Sequence, residues 1–156
     1  TGSKFARLRH AQLQKMSSEP ATLAIARQVV VGKLHNQGKL LEQKMDYSGQ
    51  PLTVQNSVRG IGQMLSRARQ ARVIDSLRGF EGKAGADYWQ AIRTMVPAQF
   101  GFQGRKYFPP PDPVNGLLSF GYSLLLKDVT AAVQVVGLDP YLGFFHSVHY
   151  GRPSLA

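Results

Sequence analysis

The sequence contains no cysteine among its 156 residues. A disulfide framework and a thiolate zinc site are therefore excluded, and the absence fits a reducing cytosol. Basic residues interrupt the first helical stretch, so we read no cleavable signal there. The longest apolar segment, 114–126, stops at Lys127 and Asp128, and we predict that it is too short and too polar to span a bilayer. These features predict a cytoplasmic protein without a membrane partner.

Acidic residues are also few, since nine Asp and Glu stand against 19 Lys and Arg and leave a formal net charge of +10. The positive charge is uneven, because seventeen of the nineteen basic residues lie at or before Lys106. A surface of this kind attracts polyanions, and each phosphate that it neutralises releases condensed counterions. A nucleic-acid partner is therefore predicted, and a protein whose charge only aids solubility stays as the alternative.

Several common catalytic motifs are missing. The chain has no glycine-rich phosphate loop ending in Lys-Ser or Lys-Thr and no pair of histidines at helical spacing around a glutamate. It also lacks the elbow motif of serine hydrolases. Any catalysis must therefore come from side chains that distant segments bring together.

The hydrophobic spacing predicts an all-α chain of about five main helices, without a confident strand. The predicted helices cover 4–16, 21–36, 52–68, 75–95 and 113 to Gly137, with a loop over 47–51 and a long Pro- and aromatic-rich loop over 96–111. Local signals support the helix ends: Pro20 in the first turn of the second helix, Asp75 and Asp112 as N-caps, and Gly137 as a C-terminal cap.

Glu81 lies within the apolar arc of the fourth helix, one turn after Leu77. A carboxylate in that position must be neutralised, hydrogen-bonded, or paired with a cation or a metal, because burying it bare is costly. An ion pair with an arginine is the plainest alternative. Glycines 79, 82 and 85 surround the acid, which indicates either a close approach to the helix backbone or loose packing.

His146 follows the apolar segment 142–145, and an imidazole there is more often a satisfied core residue than a ligand. His149 is a rival candidate. On the fifth helix, Asn115, Ser119 and Tyr122 form a polar stripe that faces either a polar centre or backbone carbonyls.

Basic residues beside aromatic ones mark possible nucleic-acid contacts. Arg105 and Lys106 stand among the aromatic residues of the long loop, a mixture that suits phosphate contact and base stacking. On the third helix, Arg59 and Arg67 belong to a polar stripe, for which an ordinary solvated face is the alternative.

Taken together, these segments closely resemble the CRISPR-associated spacer-acquisition integrase family. The matching segments are Leu77-Arg-Gly-Phe-Glu-Gly82, Pro110-Pro-Asp-Pro-Val-Asn-Gly-Leu-Leu-Ser-Phe-Gly-Tyr122, Gly137-Leu-Asp-Pro-Tyr-Leu-Gly-Phe-Phe-His146 and Gly151-Arg-Pro-Ser-Leu-Ala156. Several separate motifs in one order are more specific than any single motif, and the likeness covers nearly the whole chain.

The resemblance implies roles for individual residues. Glu81 and His146 correspond to the family's metal-binding glutamate and histidine, and the implied ion is Mg²⁺ or Mn²⁺. Asn115, Tyr88 and Arg105 fall in motifs that line that site, and they are given supporting catalytic roles. The residues expected to contact DNA are Arg78, Arg105, Lys106, Arg59 and Arg67.

The resemblance also implies a domain assignment and an activity. Residues 1–156 are expected to form the family's helical catalytic domain, incomplete at its C-terminus and without the family's N-terminal β domain. The family's two further aspartates lie past a stretch like 151–156, so two ligands alone should bind metal poorly, and whether this polypeptide is active stays open.

The implied function is metal-dependent cutting of DNA and joining of new spacers into a CRISPR array by transesterification. The implied partners are double-stranded DNA of spacer and repeat, a second copy in the full-length protein, and a small adaptation protein of the same system. A helical DNA-binding module without catalysis, in which Glu81 only pairs with an arginine, is the alternative.

Overall fold

The structure, a computed structural model, describes residues 5–44, 51–146 and 150–156. Within them lie five α-helices, one short 3-10 helix and no strand, so the predicted all-α fold is confirmed. The predicted loop at 47–50 and His149 lie outside the described residues. The helices are α1 (Ala6–Ser17), α2 (Glu19–Lys44), α3 (Leu52–Arg69), α4 (Ile74–Met95) and α5 (Pro113–Val135).

The chain divides into two compact units. A central unit comprises Arg27–Ser119, and a terminal unit comprises Thr1–Ala26 together with Phe120–Ala156. The central unit contains α3, α4 and the long loop after α4, and it therefore contains Glu81 and Asn115. The terminal unit contains α1 and the irregular C-terminal segment with His146.

In the central unit α3 packs against α4, and the second part of α2 lies against both helices. We predicted that the second helix ends at Asn36, which is wrong, because α2 continues to Lys44. The continued helix lies close to α3, since a Cβ built at Gly38 would be 3.7 Å from the side chain of Ile61, an ordinary contact distance. The extra turns bury Leu41 completely. The largest buried core side chains here are Val30, Leu34, Leu41, Val54, Ile61 and Leu77.

In the terminal unit a buried glutamine of α1 binds the backbone of the C-terminal segment. The side-chain amide of Gln12 donates to the carbonyl oxygens of Asp139 at 2.8 Å and Leu142 at 2.9 Å, and its oxygen accepts from the Asp139 backbone N–H at 2.8 Å. Gln12 is buried, so these bonds replace lost water contacts. Nearby, a Cβ at Gly143 would collide with the backbone of Ser154. The described residues 137–146 and 150–156 are therefore tied to α1 and to one another.

The two ends of α5 form as their sequence signals predict. The carboxylate of Asp112 accepts from the backbone N–H of Asn115 at 2.8 Å, which is an N-cap bond, and Pro113 opens the helix. At the other end Gly137 has φ +88°. The N–H of Gly137 donates to the carbonyl of Gln134 and the N–H of Leu138 donates to the carbonyl of Val133, which together form a Schellman motif.

The N-cap predicted for the fourth helix is wrong. The capping position is Val73, in extended conformation and without a side-chain cap bond. Asp75 lies inside the first turn, where its negative charge still suits the helix dipole, and it pairs with Arg78 at 2.9 Å.

The fifth helix also exceeds the apolar stretch considered from sequence. It runs for 23 residues through Lys127 and Asp128, and by length and composition alone it could cross a bilayer. The expectation of a segment too short for that is therefore wrong. An adjacent Lys–Asp pair close to the middle of the helix is costly in a bilayer, and the same length and composition occur in helices of soluble proteins.

Candidate functional site

Glu81 projects from the middle of α4 and meets a lysine of α2. The Lys33 ammonium donates to Oε1 of Glu81, whose side chain is 23% exposed. The sequence left open whether this acid is neutralised, hydrogen-bonded, or paired with a cation or a metal. In the structure it is paired with a cation, which is a lysine where the ion-pair alternative expected an arginine. A Cβ at Gly79, Gly82 or Gly85 would meet no atom of the described residues within 4 Å. Of the three, Gly85 lies on the Glu81 side of the helix, so this side has free space one turn after Glu81.

The described residues meet the requirements of a divalent ion only in part. Carboxylate oxygen and imidazole nitrogen are ligand types that Mn²⁺ and Mg²⁺ accept, but Glu81 belongs to the central unit and His146 to the terminal unit. No group of three or more His, Asp or Glu side chains suited to a metal occurs in the parts of the chain that the structure describes. Glu81 would also have to exchange Lys33 for an ion.

The side chain of Asn115 connects the start of α5 to the long loop that precedes it. It is fully buried, and its side-chain NH₂ donates to the carbonyl of Gly104 at 2.9 Å and to Asp112 at 2.7 Å. Its side-chain oxygen accepts from the backbone N–H of Lys106 at 2.8 Å. Every polar atom of the amide has a protein partner, which gives this side chain a positioning role for the loop.

Arg105 also contacts the Asn115 side chain. Its guanidinium donates to Asn115 Oδ1 and to Ser119 Oγ, both at 3.2 Å, and to the Lys106 carbonyl at 2.6 Å. The guanidinium carbon also lies 4.2 Å from the ring centroid of Tyr107, a cation–π distance. Asn115 and Ser119 of the polar stripe on α5 thus hold the long loop, and they bond both the Arg105 side chain and backbone groups of the loop. Tyr122, the third member of the stripe, is exposed.

The charge of Asp112 is part of this arrangement. Desolvation alone would raise the pKa of this carboxyl, but hydrogen bonds from the backbone and side chain of Asn115 and from the backbone of Val114, with the charge of Lys106, outweigh it. The pKa of Asp112 therefore lies below its ordinary value. The cap of α5 is ionised at neutral pH.

The loop that Asn115 holds presents aromatic and basic groups to solvent. Tyr107 is 72% exposed and Phe108 is 93% exposed, while Lys106 between Arg105 and Tyr107 is exposed as well. Exposed rings beside cations are suited to stacking with bases while the cations contact phosphates. The predicted basic and aromatic cluster is thus present on the surface of the central unit.

The remaining predicted site residues occupy three settings. Tyr88 is half-buried and its ring packs edge-on against Trp89, with centroids 5.1 Å apart. Arg78 is exposed beside Asp75, and Arg59 and Arg67 are exposed on α3. In the terminal unit His146 is exposed, with its ring edge-on to Phe145 at 5.0 Å.

Sequence reasoning missed Asp87. This carboxylate is only 7% exposed, and it lies between α3 and α4 with one oxygen paired to Lys83. A Cβ at Gly60 would come within 2.5 Å of its other oxygen. Its position in the arc of Leu77, Ala84 and Ala91 could have revealed it by the helical periodicity that singled out Glu81.

Comparison with known proteins identifies the family. The sequence model of the family described as CRISPR associated protein Cas1 matches residues 1–156. The chain belongs to the Cas1 family. The resemblance seen in the sequence motifs is therefore confirmed.

Two bacterial Cas1 proteins illustrate the likeness. The chain is 38% identical over 159 residues to the CRISPR-associated endonuclease Cas1 3 of Thermus thermophilus, covering all of this chain and 44% of that protein. It is 39% identical over 155 residues to the CRISPR-associated endonuclease Cas1 of Leptospira interrogans, covering 96% of this chain and 61% of that protein. The chain thus spans about half the length of the Cas1 relatives that it matches.

Solved structures support the helical Cas1 architecture. A chain of a partial Cas6-RT-Cas1–Cas2 complex superposes with a TM-score of 0.82 at 30% identity, over 92% of this chain and 42% of that one. A casposase bound to integration product gives a TM-score of 0.81 at 25% identity, over 96% of this chain and 43% of the casposase. Both neighbours extend well beyond the region that this chain matches.

Proposed function

We propose that the chain is the helical DNA-binding and catalytic domain of a Cas1 nuclease and integrase. This enzyme cuts DNA, and it joins a DNA 3′ end to a second strand by transesterification. The supporting observation is the Cas1 family match along residues 1–156, since the matched relatives are named endonucleases. Such a reaction exchanges one phosphodiester for another and needs no nucleotide cofactor. We place it in the cytoplasm of a prokaryotic cell.

The metal ligands of this proposal are Glu81 and His146. They supply the two donor types that a divalent ion such as Mn²⁺ or Mg²⁺ accepts, and the bound ion would polarise a phosphodiester. Lys33 holds the Glu81 carboxylate in the absence of the ion and must release it on binding. The free space at Gly85, one turn after Glu81 on the same side of α4, would let the DNA backbone approach that carboxylate.

The DNA contacts of this proposal come from exposed cations. Arg105 and Lys106 lie on the loop held by Asn115, and Arg78 lies one turn before Glu81 on α4. Tyr88 and Asn115 then position these elements. We further propose that the full-length protein forms a homodimer and assembles with a small Cas2-type protein, as the name of a neighbouring complex suggests for that complex.

Salt dependence of binding tests the electrostatic part of the proposal. We expect the affinity for a labelled duplex to fall steeply between about 50 and 200 mM salt, because bound phosphates release counterions. Arg59→Ala and Arg67→Ala should each lower the slope of log K against log salt by about 1. Fluorescence anisotropy across this range measures both quantities.

The control removes one positive charge elsewhere. Lys127→Ala deletes an exposed cation that already pairs with Asp128, so the slope should stay near that of the unaltered chain. An affinity that is flat across the salt range would contradict the proposed DNA function. Equal slopes in all variants would show that α3 does not contact phosphates.

A further inference from the structure

A polar groove runs between α3 and α4, separate from Glu81 and the Asn115 loop. Its volume is about 320 Å³, and it joins the first two-thirds of α3 to the second half of α4. Each helix contributes residues at spacing i, i+4 and i+7, which places them on one face. These residues are Asn56, Gly60 and Gln63 on α3, and Lys83, Asp87 and Gln90 on α4.

The charges in the groove disfavour a phosphate ligand. The carboxylate of Asp87 is buried, and one of its oxygens accepts from the ammonium of Lys83. Its other oxygen, Oδ2, is buried and makes no hydrogen bond within the described part of the chain, and it faces the backbone of Gly60. A phosphate would meet this negative group, while Lys83, the cation among the described lining residues, is already paired. Next to this buried negative charge, a neutral ligand is favoured over a phosphate.

The rest of the lining suits a flat molecule with mixed polarity. Asn56, Gln63 and Gln90 carry amides that both donate and accept hydrogen bonds, and all three are exposed along the groove. Met64 adds an apolar, polarisable surface beneath them. Nucleobase edges present the same alternation of donors and acceptors, and Asn and Gln are the side chains that pair with adenine in this way.

We propose that this groove binds one unpaired nucleobase of a DNA strand. The inference rests on the proposed DNA function and adds a base-contacting subsite to it. The volume is large enough for one base with its sugar, and the exposed amides of Gln63 and Gln90 pair with the donor and acceptor atoms of that base. Gly60 is required here because a side chain at that position would displace Asp87.

The position of the groove on α3 supports a strand running beside it. Arg59 and Arg67 lie four residues before and after Gln63, which is about 6 Å along the helix in each direction. Both are exposed. A strand that places a base at Gln63 would therefore bring its flanking phosphates near one cation on either side.

Binding of two single strands of equal length tests the subsite. One probe is an ordinary labelled deoxyoligonucleotide and the other is the same strand built entirely of abasic sites. The ratio of their affinities reports contacts to bases, from the groove and from the exposed rings of Tyr107 and Phe108 together. In the double variant Gln63→Ala, Gln90→Ala we expect that ratio to fall about tenfold, the effect of losing good amide–base contacts.

Affinity for the abasic strand and its salt slope should not change in this variant, since no charge is removed. Gln55→Ala on the same helix, exposed and outside the groove, is the matched control and should keep the full ratio. Both glutamines of the variant are exposed, so its melting temperature should stay close to that of the unaltered chain.

The outcomes separate the two proposals. A ratio that is the same in the double variant and in the unaltered chain, with normal salt-dependent binding, would overturn the subsite and leave the DNA function standing. Absence of salt-dependent binding to either strand by the unaltered chain would overturn both.

Discussion

Replacing Asn115 by alanine is expected to lower the free energy of unfolding by about 3 kcal/mol. The substitution leaves a carbonyl of Gly104 and an N–H of Lys106 without the partner that they have now. It also removes one of the hydrogen bonds that the carboxylate of Asp112 accepts. Buried polar groups that lose their partners carry most of this cost, because no water replaces the amide at a fully buried position.

Urea denaturation followed by circular dichroism at pH 7 measures this change. The lowered pKa of Asp112 means that its capping contribution is complete above the unfolded value of about 3.8 and is lost as the pH falls through the lower folded value. Neutral pH therefore lies on the plateau. Asn36→Ala, at an exposed position of α2, is the matched control and should change stability by less than about 0.5 kcal/mol.

The same variant tests the positioning role. If Asn115 holds the loop, DNA affinity should stay reduced even at a temperature at which the variant is folded, because Arg105 and Lys106 lack the amide that positions them. A loss of less than about 1 kcal/mol in the free energy of unfolding would contradict the role given to Asn115, because removing a buried amide with several hydrogen bonds should cost more than that.

Replacing Glu81 by glutamine is expected to reduce Mn²⁺-dependent cleavage and joining of DNA by roughly 100-fold or more, in a Cas1 chain extended to the length of its relatives. The amide keeps the shape of the side chain and removes the charge that attracts the ion. Stability should change little, because the carboxylate is 23% exposed and its partner Lys33 is half exposed.

Two further variants show whether the loss of cleavage in Glu81→Gln comes from lost metal binding. Glu42→Gln removes a carboxylate that pairs with Lys39 on the exposed surface, and it should leave cleavage unaltered. Lys33→Met removes the cation that competes for Glu81, and it should raise the apparent affinity for Mn²⁺ several-fold in a calorimetric titration. Cleavage that survives Glu81→Gln would reject the catalytic role given to Glu81.

Local signals explain which parts of the fold were predictable. The ends of α5 depend on Asp112, Pro113 and Gly137, residues whose effects act within one helical turn, and the structure places all three as their types require. The end of α2 was not predictable in this way. Its last turns pack near Ile61 of α3, a residue that is distant in sequence from Gly38.

In the candidate site, too, features set by local sequence were predictable and features set by tertiary packing were not. The position of Glu81 follows from helical periodicity, but the identity of its partner depends on the packing of α2 against α4, so a lysine could not be anticipated. Gln12 shows the converse, since its polar side chain gives no hint that it holds the backbone at Asp139. Asp87 was detectable from periodicity, yet only the approach of Gly60 shows why it matters.

The central claim is that Glu81 and His146 hold the same ion, and paramagnetic broadening by Mn²⁺ tests it most directly. In a nuclear magnetic resonance titration, the imidazole signals of His146 and the amide signals beside Glu81 should broaden together, at one Mn²⁺ concentration. Both effects should weaken together in Glu81→Gln. Broadening near Glu81 that leaves the His146 signals sharp, or His146 broadening that is unchanged in Glu81→Gln, would contradict the claim.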